Sequence, residues 1–360
     1  MQKNSNSKTK KEKSHKTKND YEQGIELKKL IVTMGLLAML GASSLLQTGC
    51  QQDYSGIPKE NGTIEILFSK TDNCSARLEE LVANAKEVKA ALYDLDEPRL
   101  IQLLKEKNAD LLVDEDNYFG LGQKISGEGL MHNKFWILYK RSANIDNENT
   151  ATDDYIITGS MNPTKNDIYK NDNNLVIING SEYLKKNYEA EFAELKNNLK
   201  DTPTKYTKVN LSGILIENYF CPDDGCENHV LATLKSAKES IYFMTFSFTS
   251  DPLGNYLVLM KDKLDIQGVF DKSQVSSQKQ YTEYYKMLDK SMNVRLDGNP
   301  DKLHHKVFIV DKKIVITGSY NPTGAGTSTN DENILIIYDS GIAQKYFKEF
   351  QRVWEVAGGK

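Results

Sequence analysis

From residue 64 onward the sequence runs through one pattern twice, and that duplication limits the fold more than any other feature. The first pass is Ile64-Glu65-Ile66-Leu67-Phe68, then Cys74, Leu78, Leu81, Val82 and Ala85-Lys86, then an apolar run from Val88 to Tyr93. The second is Ile214-Leu215-Ile216, Tyr219-Phe220, Cys226, Val230, Leu231, Leu234 and Ala237-Lys238, then Ile241 to Phe248. Cys74 and Ala85 stand eleven residues apart, as do Cys226 and Ala237. Each half continues with a helical stretch (Arg99 to Lys107; Leu253 to Lys263) and an apolar strand closed by Asp114 or Asp271. Each ends in a helix rich in Tyr, Phe and Leu (Ser181 to Leu199; Gly341 to Val356). Strand, amphipathic helix, strand, helix, strand predicts an α/β sandwich in each half, with parallel pairing over part of each sheet. The expected organisation is a first lobe over 64–200, a linker over 201–210 and a second lobe over 211–358, with 51–63 as a tether.

The closing segment of each half carries the chemistry. One copy has His132-Asn133-Lys134, then, beyond an insertion, Gly159-Ser160-Met161-Asn162-Pro163-Thr164. The other has His304-His305-Lys306, Asp311, and Gly318-Ser319-Tyr320-Asn321-Pro322-Thr323. Residues two apart on a strand share a face. His304 therefore points with Lys306, and His132 with Lys134, while His305, Val307 and Ile309 turn the other way. Ser160 with Asn162, and Ser319 with Asn321, form matching pairs on the neighbouring strand of a hairpin. A lone His-x-Lys is ordinarily an exposed edge and a lone Gly-Ser-x-Asn a turn. Here three of the five histidines fall within the repeated motif at equivalent places. His15 and His229 read as plain surface residues, and His305 as a structural neighbour.

Such a set suits a phosphodiester. Lysine and the amide donate to non-bridging oxygens where charge builds. A neutral imidazole attacks phosphorus and a protonated one protonates the leaving oxygen. Two copies face to face supply one histidine for each task, and the lysine pair supplies the charge a metal would otherwise bring. No cofactor or metal is expected.

At these residues the sequence resembles the phospholipase D superfamily, whose signature is His-x-Lys, four residues, Asp, six residues, Gly-Ser-x-Asn, present twice. The second copy matches through His304, Lys306, Asp311, Gly318, Ser319 and Asn321, and Glu332 resembles the family's downstream acid that orients a histidine. The resemblance implies two pseudo-symmetric α-β-α sandwich lobes with mixed sheets, and an active site where they meet. It implies His132, Lys134, His304, Lys306 and Asp311 as catalytic, with Ser160, Asn162, Ser319, Asn321 and Glu332 supporting the phosphate. It also implies a phosphohistidine intermediate. The first copy departs from the signature. Tyr139 stands in the Asp position, Lys140 to Asp153 lengthen the hairpin, and Asn173 replaces the residue matching Glu332. Asp146, Asp153, Asp154 and Asp172 are the candidate acidic partners for His132.

The start of the chain reads as an address. Residues 1–29 carry nine lysines against four acidic residues, with no apolar periodicity, and predict a solvated basic tail. No charge occurs from 30 to 52, and Thr48-Gly49-Cys50 resembles the end of a bacterial lipoprotein signal, Cys50 being the acylated residue. An uncleaved anchor over 30–46 is the rival reading, at the short end of the ~17–25 residues a span needs. Both put the body on the extracytoplasmic face of a membrane. Cys221 and Cys226 bracket a turn-prone stretch and form a candidate disulfide, with Cys74 as the competing partner of each.

The net charge of −4, despite a basic tail, leaves an acidic body, which disfavours sequence-blind polyanion binding. The leading expectation is a membrane-tethered phospholipase D-like phosphodiesterase that hydrolyses or transphosphatidylates phospholipid, with Tyr118, Phe119 and Trp136 as candidate lipid contacts. An extracytoplasmic endonuclease of the same superfamily is the alternative, favoured if the cleft near Lys302 and Lys312-Lys313 is basic. A catalytically impaired binding lobe is the third. With both motifs in one chain, a monomer is expected.

Overall fold

Two sheets with one strand order build the protein, as the repeat demands. The computed structural model describes residues 56–140, 153–200 and 202–357. The first sheet contains β2 (Thr63–Phe68), β3 (Glu87–Leu92), β4 (Asp110–Asp114), β5 (Gln123–Ile125), β6 (Lys134–Tyr139), β7 (Tyr155–Gly159) and β8 (Asn174–Asn179), in the order β2-β8-β7-β6-β3-β4-β5. The second contains β10 (Ile214–Cys221), β11 (Ser240–Thr245), β12 (Asp265–Phe270), β13 (Asn293–Leu296), β14 (Lys306–Val310), β15 (Ile314–Gly318) and β16 (Glu332–Tyr338). Their order, β10-β16-β15-β14-β11-β12-β13, repeats the first strand for strand. In both, β3-β4-β5 and β11-β12-β13 pair in parallel and every other neighbour within the repeat is antiparallel.

Alternation along each strand sorts the side chains into layers. Phe135, Ile137 and Tyr139 point inward with Val307 and Ile309, whereas Trp136, Leu138, Phe308 and Val310 point to outer layers. The outer layers are covered by helices Cys74–Asn84 and Pro98–Glu106 in the first lobe, and by Cys226–Lys235 and Asp251–Met260 in the second. The inner layer is a single core shared by both sheets. Leu184, Tyr188, Phe192 and Leu195 of helix Glu182–Asn197 join it, as do Ile342, Ala343, Tyr346, Phe350 and Val353 of helix Ser340–Ala357. The lobes are therefore not two self-sufficient sandwiches; burial of their long helices depends on each other.

Two further strands lie where only tether and linker were expected. Residues 59–60 form β1 and residues 208–211 form β9, paired in parallel with each other, and β9 pairs antiparallel with β10. They are short; they form because the edge of β10 leaves backbone groups to satisfy, and Val209 and Leu211, alternating with Lys208 and Asn210, enter the shared core. Cys221 and Cys226 are joined in a disulfide, and Cys74 is free and buried. Residues 1–55, with Cys50 and the basic tail, lie outside the described residues, as does Asp146. Among the described residues no helix is long and apolar enough to cross a membrane.

Candidate active site

Each motif histidine is pinned between the lobes before its side chain does anything. The His132 N–H donates to the Asp331 carbonyl and that of His304 to the Asp172 carbonyl, at 3.0 and 2.9 Å. One residue earlier, the backbone N–H of Met131 donates to Asp114 and that of Leu303 to Asp271. These are the two strand-closing aspartates of the repeat. Each lobe thus holds the other's histidine, and neither motif is set without its partner.

The side chains converge as the strand periodicity requires. His132 and His304 line one cleft of about 1040 Å³, together with Asn162, Asn321, Tyr93, Phe246 and Asp167. Lys134 and Lys306 are buried beside them. Each Nζ donates to the carbonyl of its own histidine, at 2.7 and 2.8 Å, which leaves two further N–H donors on each ammonium. Tyr93 and Phe246 are equivalent across the repeat. Each ring stands edge-on to a histidine with centroids 4.8 Å apart, and each lies 5.0 Å from the neighbouring Lys Nζ.

The outer partners of the imidazoles differ between the copies. His132 Nδ1 donates to Glu332 Oε2 at 2.8 Å, so the first copy's acid comes from the second copy. His304 Nδ1 donates to Asn173 Oδ1 at 2.9 Å, with Asp167 Oδ2 at 3.4 Å. The Asn173 amide is oriented by Ser160 Oγ, which donates to Oδ1, and by Nδ2, which donates to the Asp167 carbonyl. With Nδ1 engaged, Nε2 is the nitrogen left on each ring for chemistry.

Burial dominates the electrostatics. It pushes His132 down to about 4 and His304 to about 3; Glu332 and Asp167 respectively oppose it, and Lys134 and Lys306 reinforce it. Burial lowers Lys134 to about 8, against the pull of Glu332 and Asp167. It takes Lys306 well below its ordinary value, aided by repulsion from Lys134. Two buried ammoniums that repel each other are relieved by an entering anion, and a phosphodiester is one. The imidazoles are held neutral at pH 7, so each Nε2 has a lone pair available.

Comparison with known proteins agrees with this geometry. Residues 230–354 match the family described as "Cardiolipin synthase, PLD-like domain". A phospholipase D of Rickettsia typhi is 29% identical over 154 residues, covering 42% of this chain and 74% of that protein. A human mitochondrial cardiolipin hydrolase is 31% identical over 129 residues, 36% of this chain and 50% of its own length. The crystal structure of phosphatidylserine synthase from Haemophilus influenzae superposes with a TM-score of 0.60 over 85% of this chain and 90% of that one; at 13% identity it bears on the fold alone. These matches support the phospholipase D superfamily, over a little under half of the chain in sequence.

Within that superfamily frame several expected residues take other places. Asp311 is not in the cleft. It sits at the β14–β15 turn with φ of +52° and accepts N–H bonds from Lys238, Glu239 and Ser240 at 2.8 to 2.9 Å. Burial alone would raise its carboxyl, but those donors hold it below the ordinary value, so its role is to fasten the hairpin to β11. Ser160 and Ser319 are also absent from the cleft wall. Their Oγ atoms accept from the Asn174 and Asn333 N–H groups and tie the loop that carries Asn162 or Asn321. Of the acids expected for His132, Asp146 lies outside the described residues and the other three are placed elsewhere. Asp154 pairs with Lys185, Asp172 with Arg352 and Asn299, and Asp153 lies beside Asn179 through its carbonyl.

The remaining candidates also sort out. His305 is fully buried, with Nε2 3.2 Å from Glu349, on the face opposite His304. His229 is half-buried and stacked on Tyr219. Trp136 is in the outer core and can touch no lipid, whereas Tyr118 and Phe119 are exposed but do not line the cleft. Lys302 lines the cleft beside Lys170, but Asp94, Asp96, Asp167 and Asp301 do too, and Lys312 stacks on Phe347 elsewhere. The cleft is not a basic channel.

Proposed function

We propose that the protein hydrolyses phosphoric diesters by double displacement through a phosphohistidine. It is a phospholipase D-like hydrolase. One imidazole Nε2 attacks phosphorus while the other protonates the departing alkoxide, so the P–O bond breaks as the P–N bond forms. The second imidazole, now neutral, takes a proton from water, whose oxygen displaces histidine and releases the phosphomonoester. Lys134 and Lys306 stabilise the charge on the non-bridging oxygens without a metal. The observation that carries this reading is the convergence of two histidines, each with its Nδ1 bound and Nε2 available, on one cleft.

Phospholipid is the first substrate reading, supported by the names of the relatives. A second, single-stranded nucleic acid, fits the hydrophilic wall that Ser247, Thr249, Ser273, Gln274, Gln278 and Asn166 give the cleft, while Asp94, Asp96 and Asp301 on the same wall work against a polyanion. An acyl chain gains little there, and a polar strand loses little. Tethering at an extracytoplasmic membrane face remains part of the proposal for the lipid reading. The test offers residues 51–360 phosphatidylcholine vesicles, cardiolipin vesicles, single-stranded DNA and bis(p-nitrophenyl) phosphate in parallel, with and without EDTA. Chelator-resistant turnover of the generic diester is expected, and the natural polymer or lipid cleaved identifies the substrate. Abolition by EDTA contradicts the metal-free step.

A further inference from the structure

The loops after the two Gly-Ser-x-Asn motifs align without a gap. Asn162-Pro163-Thr164-Lys165-Asn166-Asp167 faces Asn321-Pro322-Thr323-Gly324-Ala325-Gly326, and six residues later Asn173 faces Glu332. Two differences therefore coincide: where one loop has Gly and then Glu, the other has Asp and then Asn. The first loop has lost the carboxylate at one position and carries one at another. Asp167 Oδ2 stands 3.4 Å from His304 Nδ1, on the same nitrogen that Asn173 Oδ1 accepts from at 2.9 Å.

We infer that Asp167 supplies to His304 the carboxylate that Glu332 supplies to His132. The assignment rests on the phosphodiesterase reading above for its kinetic consequence, not for the contact itself. Asp167 is built for a fixed charge. It is 3% exposed, its Oδ2 accepts from the Asn162 backbone N–H and Nδ2 at 2.8 and 2.7 Å, and its Oδ1 accepts from Asn171 Nδ2 at 2.6 Å. Burial works against its ionisation, but His304 and these donors hold it well below the ordinary carboxylate range. The charged groups facing His304 are Asp167, Lys306 and Lys134; two are cations that disfavour its protonation, and Asp167 is the counterweight. Asn173 orients the ring and Asp167 charges it, a division of the two tasks that Glu332 performs alone for His132. Asp167 is thus a positioning residue, acting through His304.

Two variants separate this from a purely structural role. Asp167→Asn keeps shape and most donors but removes the charge. The double change Asp167→Gly with Asn173→Glu rewrites the first loop in the chemistry of the second, which the same backbone already carries. On bis(p-nitrophenyl) phosphate, D167N is expected to lower kcat by ~10²-fold with little change in KM, as loss of a charge behind an acid–base group does. The loss grows toward alkaline pH, because the protonated histidine titrates away sooner. The double variant recovers to within ~5-fold of wild type. Independently of turnover, ¹⁵N-histidine spectra of the whole protein report the His304 Nδ1–H, which moves upfield in D167N and back downfield in the double variant while His132 stays put. A wild type that cleaves nothing, with the His304 proton moving as described, refutes the phosphodiesterase reading and leaves the assignment standing. An unmoved His304 proton in D167N, or a double variant no better than D167N, overturns it.

Discussion

Glu332→Gln is the sharpest perturbation the site offers, because it changes one charge and almost no shape. Glu332 is fully buried and its Oε2 lies 2.8 Å from His132 Nδ1. Two unit charges ~4 Å apart at an effective dielectric of ~20 attract by ~4 kcal/mol. Glutamine retains a hydrogen bond through its carbonyl, so the net loss is ~2–4 kcal/mol whenever His132 carries positive charge, as imidazolium or as phosphohistidine. That converts to ~30- to 10³-fold in rate. Glu332 touches His132 rather than substrate, so the loss belongs in kcat and KM stays within ~3-fold. The sign with pH follows: Glu332 opposes the burial that lowers His132, and without it the histidine falls further below about 4. The kinetic limb that needs protonated His132 therefore moves to lower pH. Stopped assays on bis(p-nitrophenyl) phosphate from pH 5 to 9, with circular dichroism to verify folding, measure both quantities. A folded variant with wild-type kcat, or a loss confined to KM, refutes the reasoning.

His304→Ala should lower turnover of the same substrate by at least ~10³-fold, since it removes either the nucleophile or the proton donor; near-wild-type activity removes His304 from the site. The two histidines' contribution to folding stability should fall as pH drops below 6.5, opposing the raised carboxyls of Asp331, Glu194 and Asp297, which favour the folded state on acidification. Both histidines are lowered on folding, to about 4 and 3, so the unfolded chain binds protons that the native one refuses, at a cost of ~3 kcal/mol or more for each. Urea unfolding of wild type and His132→Gln at pH 7 and pH 4.5 isolates this, because the shared carboxyls cancel in the difference: the variant should gain on wild type by ~2 kcal/mol at pH 4.5, and an unchanged difference contradicts the buried neutral imidazole.

Much of the architecture was legible because it is repeated. The matched spacing of Cys74–Ala85 and Cys226–Ala237 marked equivalent helices, and the strand order proved the same in both sheets. Period-two alternation placed His304 with Lys306 and turned His305 away, as its Glu349 contact shows. What the sequence hid is long-range. Nothing local says that Glu332 serves a histidine 200 positions away; the acids near His132 in sequence are not the one near it in space. Tyr93 and Phe246 were findable as equivalent residues just past β3 and β11, but an aromatic after an apolar strand has no signature of its own. Asp311 illustrates the opposite error: it belongs to the motif in sequence and to the hairpin turn in space. Strand β1 carries no apolar pattern because edge pairing forms it, whereas β9 alternates, with Val209 and Leu211 buried in the shared core, but is only four residues long.

The most direct test of the central claim is to trap the intermediate. Wild-type protein is mixed with a ³²P-labelled diester, denatured at alkaline pH within one turnover, digested and mapped. Label on a single peptide containing His132 or His304, acid-labile and absent after alanine replaces that residue, is the expected result. Single-turnover hydrolysis with no phosphorus on either histidine, or with label on a serine, contradicts the two-histidine mechanism.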